Sequence, residues 1–238
     1  MTYKEIYDIA VPERKRKEER FNIWTAYALR PFSILLTAPL VNTKVTPTQV
    51  TAVSCIFSII GFFLLSLNLG FLWCIAGWAT FYMWAILDCM DGNLARCNNQ
   101  CSPMGDLWDT MGGYATMVLM YFGAGIAAFF DTNAVEMCDA YLYLIFGGAT
   151  AIFSIFPRLV MHKKKSSNFG QESVKAVSDK NTFGLSKILA MNLVSPTGLL
   201  QVALLVAIIF HLLNLFIIGY MIVNFAIMCQ SLRGLLKE

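Results

Sequence analysis

The chain has 238 residues, 57% of them hydrophobic and only 14% charged, with a formal net charge of +3 and a mean hydropathy of +0.60. A soluble domain carries about 25% charged residues, so the composition excludes an ordinary soluble protein. The small positive charge falls between apolar runs, where it suits anionic lipid and calls for no nucleic acid partner.

Taken in order, Met1–Arg20 is polar and holds Arg14, Lys15, Arg16, Lys17 and Arg20; it lacks the apolar stretch of a cleavable signal. Phe21–Val45 is apolar but interrupted by Arg30-Pro31, Pro39 and Lys44. This pattern predicts an amphipathic helix lying in the membrane interface. Residues 1–45 thus form an interfacial segment and residues 46–238 a transmembrane domain.

Six uncharged runs approach the roughly 20 residues a helix needs to cross a bilayer. They are Val50–Leu67, Phe71–Leu87, Thr110–Phe130, Ala140–Pro157, Gly198–Phe210 and Leu213–Gln230. The fifth is the shortest, and Pro196 interrupts its extension toward Leu185. His211–Asn214 must form a tight hairpin, with His211 an interfacial side chain and not a ligand. The expected fold is therefore an all-α integral membrane protein with six transmembrane helices behind an N-terminal amphipathic interfacial helix.

Basic residues orient the spans. They precede span one, sit at Arg96 between spans two and three, at Lys163, Lys164, Lys165, Lys175, Lys180 and Lys187 between four and five, and at Arg233 and Lys237 after six. The alternate loops, including Asn68–Gly70 and Asp131–Asp139, have no Lys or Arg. The positive-inside rule then places both termini in the cytoplasm. The polar Ser166–Gly184 loop falls on that side and could cover a site there, although it carries no motif. The seven cysteines lack the spacing of a disulfide or zinc framework and read as reduced apolar side chains. The spans have almost no ionisable midplane residues, which argues against a transporter.

The chemistry concentrates around the second loop. Span two is expected to continue as helix to Arg96, about 39 Å from Phe71, whereas the hydrocarbon core is about 30 Å thick. Its last turns thus reach the cytoplasmic boundary. Asp88 and Asp91 are three apart and share a helix face, which Ala95 continues; Gly92 leaves the backbone open to a ligand. Ser102-Pro103 reads as an N-cap followed by proline at the first helical position. The third helix then starts there, with Asp106 and Asp109 on its first turns, and the short loop brings the two acidic ends together.

A carboxylate inside a membrane costs about 2.5–3.5 kcal/mol on insertion scales, and like charges add repulsion. A cation relieves both. Carboxylate oxygens favour Mg²⁺, Mn²⁺ or Ca²⁺. Pairing of the acids with Arg96 and Arg30 is the competing explanation.

These residues resemble the CDP-alcohol phosphotransferase family. Its signature, D-x2-D-G-x2-A-R-x8-G-x3-D-x3-D, is matched by Asp88, Asp91, Gly92, Ala95, Arg96, Gly105 and Asp109. Thr46-Pro47-Thr48-Gln49-Val50-Thr51 is similar to the family's T-P-N-x-x-T, with threonine at the asparagine position. The resemblance implies Mg²⁺ or Mn²⁺ on Asp88, Asp91 and Asp109 at the CDP diphosphate. It also implies a nucleotide-binding surface at Gly92 and Ala95, with Arg96 holding that motif or the phosphates. The implied reaction moves a substituted phosphate from a CDP-linked donor to a lipid or small polar acceptor and releases CMP, a step in phospholipid metabolism. Family members are commonly homodimers, and Gly112-Gly113 and Gly147-Gly148 offer small surfaces for helix contact.

The chain departs from the signature at Gly113, where the family has its last Asp, the implied general base. Three explanations follow. Asp106 or Asp109 takes over the catalytic role; or the acceptor is an anion that needs no base, held near Gly113 by Arg158 or Lys163–Lys165; or the chain is an inactive CDP- or lipid-binding relative. Hydrolysis of a CDP-linked donor by water in the enlarged acceptor space is a further alternative.

Overall fold

The structure, a computed structural model, describes residues 1–19, 21–131, 133, 137–166 and 184–236. Arg20, Lys175, Lys180, Lys237 and the interior of the Ser166–Gly184 loop lie outside the described residues. Among those described, every regular element is helical.

The N-terminal region is more structured than its polar sequence suggests. Helix α1, Tyr3–Ala10, starts in a capping box: Thr2 accepts from the Glu5 N–H while the Glu5 carboxylate accepts from the Thr2 N–H. Ile6, Ala10 and Val11 are fully buried against Met90, Leu94 and Cys97 of the later signature helix. Helix α2, Glu13–Glu19, follows directly. The expected single interfacial helix over Phe21–Val45 is instead a π-helical turn, Thr25–Leu29, leading into α3, Arg30–Thr37. Leu29, Arg30, Ser33, Ile34 and Thr37 face the protein, whereas Tyr27, Phe32 and Leu35 are exposed. That exposed apolar face is the one an interfacial segment presents to lipid.

Among the described residues, five helices are long and apolar enough to cross a membrane: α4 (Pro47–Ser66), α5 (Phe71–Cys97), α6 (Pro103–Phe130), α7 (Tyr141–Ser166) and, last of them, Leu213–Leu235. Between the last two lie α8, Leu185–Val194, and α9, Leu200–Ile209; the final helix is α10. The expected fifth span, Gly198–Phe210, is thus α9, with α8 a separate short helix before Pro196. At 1.5 Å per residue α9 is about 15 Å long, half of a bilayer core. The break has a local cause. Pro196 has no N–H to continue the helix, and the chain folds back so tightly that a Cβ on Gly198 would lie 2.5 Å from the Asn192 carbonyl oxygen. The Gln201 amide donates to the freed Pro196 carbonyl (3.1 Å).

A further boundary differs from the sequence reading. Helix α7 continues through Pro157 to Ser166, so Arg158, His162 and Lys163–Lys165 ride on a continuous helix. Arg96 lies in the last turn of α5, as the sequence predicts. The turn from α5 to α6 is as expected: Asn99 takes a left-handed conformation, and Ser102 Oγ accepts from the Gly105 N–H at 3.0 Å. The spans pack around Phe81, Met120, Tyr121, Ala124, Leu204 and Ile217. Helices α6 and α7 approach closely where Gly125 meets Gly147. Gly112 packs on Cys55 of α4, so Gly112 and Gly147 serve contacts within one chain, while Gly113 and Gly148 face open space.

A carboxylate cluster beside an arginine-bearing cavity

The N-terminus of α4, the C-terminus of α5, the N-terminus of α6 and the C-terminal half of α7 meet at one end of the bundle. Each helix places its part through a local device. Thr46 and Gln49 form a reciprocal cap on α4 (3.3 and 3.0 Å), with Pro47 at the first helical position. One turn on, the Thr51 hydroxyl donates to Asp91 Oδ2 at 2.5 Å. Asp91 is almost fully buried, 4% exposed. The T-P-x-x-x-T motif thus caps a helix and aims a hydroxyl at the signature acid. The sequence reading had not connected Thr51 with Asp91.

Asp88, one turn before Asp91, comes from α5 and Asp109 from α6. Their carboxyl groups lie within hydrogen-bonding reach of each other. Among the described residues no three His, Cys, Asp or Glu side chains gather around one point. The protein therefore presents an open pair, Asp88 and Asp109, with Asp91 held alongside by Thr51. Such a donor set fits Mg²⁺ or Mn²⁺, which is held by one or two carboxylates and takes its remaining oxygens from phosphate and water. Asp106 is exposed, one turn before Asp109.

The arginines face elsewhere. Arg96 Nε donates to the Ala10 carbonyl at 2.6 Å and Nη2 to Asn93 Oδ1 at 3.3 Å. Arg30 donates to the same Asn93 oxygen at 2.7 Å and forms a close bidentate contact with Glu19. Asn93, fully buried, joins the two guanidinium groups. Pairing of the acids with these arginines is therefore not what the structure shows, and Arg96 holds the motif against α1. Gly92 makes that possible, because a Cβ there would sit 3.1 Å from the Arg96 guanidinium. Ala95, half-buried, continues the same face.

A cavity of about 340 Å³ opens beside the carboxylate pair, lined by Asp88, Asp109, Gly113, Tyr114, Arg158 and Thr197 among others. Gly113 has nothing within 4 Å of the position a Cβ would take. Arg158 Nη1 donates to the Ser154 carbonyl at 2.8 Å and contacts Met117 Sδ at 3.0 Å; neither partner is charged. Thr197 enters from the break between α8 and α9, where its carbonyl accepts from the Thr25 hydroxyl at 2.7 Å. Asp88, Asp109, Gly113 and Arg158 thus share one cavity; Asp106 is not among its walls. Lys163 and Lys165 are exposed, and Lys164 donates to the Leu235 carbonyl.

At the other end of the bundle His211 pairs with Asp131 at 3.0 Å, tying the α9–α10 hairpin to the end of α6. It bears no relation to the site.

Helices of this length and hydropathy define a multi-pass membrane protein, with an acidic oxygen-donor pair at one end of its bundle. The model of the CDP-alcohol phosphatidyltransferase family matches residues 44–231, and the chain belongs to that family. The family transfers the phosphoalcohol group of a CDP-alcohol to an acceptor. No curated protein matches the chain.

Proposed function

We propose that the chain is a divalent-metal-dependent transferase whose donor diphosphate lies at Asp88, Asp91 and Asp109 and whose acceptor lies in the Gly113–Arg158 cavity. The observation that carries this reading is that the carboxylate pair and Arg158 line one space. A bound metal would supply charge neutralisation at the diphosphate. Asp88 and Asp109 would hold it, with Thr51 fixing Asp91 beside them.

In the reaction an acceptor oxygen bonds to the alcohol-bearing phosphorus of the donor. The bond from that phosphorus to the bridging oxygen breaks, and CMP leaves with that oxygen. A hydroxyl acceptor must also lose a proton, and Asp109, one of the two carboxylates on the cavity wall, would take it. An ionised phosphate or carboxylate acceptor needs no base. The glycine at 113 and the guanidinium of Arg158, whose partners among the described residues are uncharged, favour such an anionic acceptor over a neutral lipid alcohol. The basic loops support a cytoplasmic location for this end of the bundle and for both termini.

The test compares acceptors. Purified protein with Mg²⁺ and a CDP-linked donor should transfer to phosphorylated or carboxylated acceptors, and Arg158→Gln should lower that transfer far more than donor binding. Transfer only to neutral alcohols would overturn the anionic acceptor. CMP release independent of any acceptor would indicate a hydrolase, and CDP binding without turnover an inactive relative.

A further inference from the structure

We propose that Lys15, on α2, is a donor-phosphate ligand, its ammonium binding the diphosphate beside the Asp88–Asp109 pair; this rests on the reading of that site as a CDP site. Lys15 lies outside residues 44–231, the part that the family model matches, so neither signature nor family assigns it a role.

The N-terminal helices are part of the folded body. Helix α1 is buried on α5, and the Arg96 guanidinium anchors it through the Ala10 carbonyl. The turn from α1 to α2 is pinned by Arg16, which donates to the Val11 carbonyl at 2.8 Å and to Asp8 at 2.5 Å and stacks over the Tyr7 ring. Successive residues on a helix point about 100° apart, so fixing Arg16 toward α1 turns Lys15 to another side. There it shares a face with Glu19, one turn on.

Glu19 is committed to Arg30, and the Lys15–Glu19 separation is 3.9 Å, the outer limit of an ion pair. Lys15, Arg30 and Arg96 thus crowd one carboxylate from α2, with the neutral Asn93 between the two arginines. The Lys15 charge also acts on Asp88 and Asp109. Its ammonium is within electrostatic reach of both the arginines and the acid pair, and its side chain remains 32% exposed. With a divalent cation on the acids, this group carries an excess of positive charge. A diphosphate diester, with two negative charges, answers it. Ammonium groups bind phosphate as compact point charges.

The experiment is equilibrium binding of CDP, with Mg²⁺, to the full chain in detergent, alongside thermal unfolding, for the wild type, Lys15→Met and Lys15→Arg. Lys15→Met should weaken CDP about tenfold and flatten the salt dependence of binding, with an unfolding temperature that is not lowered; Lys15→Arg should recover most of the affinity. Unchanged CDP affinity in Lys15→Met overturns the inference. Equal losses of CDP affinity in both variants, together with lowered unfolding temperatures, also overturn it, because they show a structural role. If the wild type binds no CDP, the CDP site itself fails and this inference falls with it.

Discussion

Thr51 of the first span gives its hydroxyl proton to Asp91 of the second across 2.5 Å, and both side chains are nearly excluded from solvent. The bond fixes one signature carboxylate in orientation while Asp88 and Asp109 converge next to it. Groups that orient metal-binding carboxylates typically contribute 10–100-fold to metal affinity or activity. Thr51→Val keeps the shape and removes the donor. It should raise the Mg²⁺ concentration needed for half-maximal CMP release by about 10-fold or more. Thr51→Ser should retain near wild-type behaviour. A Mg²⁺ titration of both variants checks this.

Neighbouring glycines should respond in opposite ways. Gly113 faces open space, whereas a Cβ on Gly112 would come within 2.9 Å of Cys55 Sγ. Gly113→Ala should leave unfolding unchanged. Gly112→Ala should destabilise by about 1–3 kcal/mol, the usual cost of overpacking. Thermal unfolding in detergent measures both.

Gly113→Asp should also fold, since the space is vacant, but it adds a negative charge to the cavity that holds Arg158. Affinity for an anionic acceptor should fall, and turnover of neutral alcohols should rise as a base becomes available. Measuring KM and kcat for one acceptor of each kind decides the matter.

Lys15 supplies a pH signature. Burial first, then the Arg96 and Arg30 charges, lowers its pKa from the usual lysine range to about 8. The groups facing it are Glu19 on its own helix, Arg30 on α3, Arg96, Asp88 and Cys89 on α5, and Asp109 on α6. A lysine whose folded pKa is lowered is neutralised more readily in the fold than in the unfolded chain. Its charge therefore opposes folding below about 8, and the chain gains stability as pH rises from there toward the unfolded value. Donor binding should run the other way, because it uses the charged form. CDP affinity should decline as pH rises through about 8 in the wild type, and Lys15→Arg should remove this decline.

Much of this organisation is legible in the chain. The uncharged runs specify α4 to α7 and α10, Ser102-Pro103 marks the start of α6, and the i, i+3 spacing places Asp88 and Asp91 on one face. Less legible were features that depend on partners distant in sequence. Helix α1 appears as a charged tail until Ile6 and Ala10 are seen against Met90 and Leu94, although Thr2 and Glu5 already spell a capping box. The direction of Arg96 follows from the Ala10 carbonyl, and Lys15 stands out from its basic neighbours only once Arg16 is engaged by Asp8. Pro157 looked like a helix end, but α7 carries it through and so delivers Arg158 to the cavity.

The central claim is that Asp88 and Asp109 form the metal-dependent donor site of an active transferase. The most direct measurement is CMP release by the purified protein from a panel of CDP-linked donors, with Mg²⁺ or EDTA and with or without acceptors, for the wild type and Asp88→Asn. The account predicts acceptor-dependent CMP release with at least one donor, abolished by EDTA and by Asp88→Asn. Release that persists undiminished in Asp88→Asn or EDTA, or no release from any donor, would contradict it.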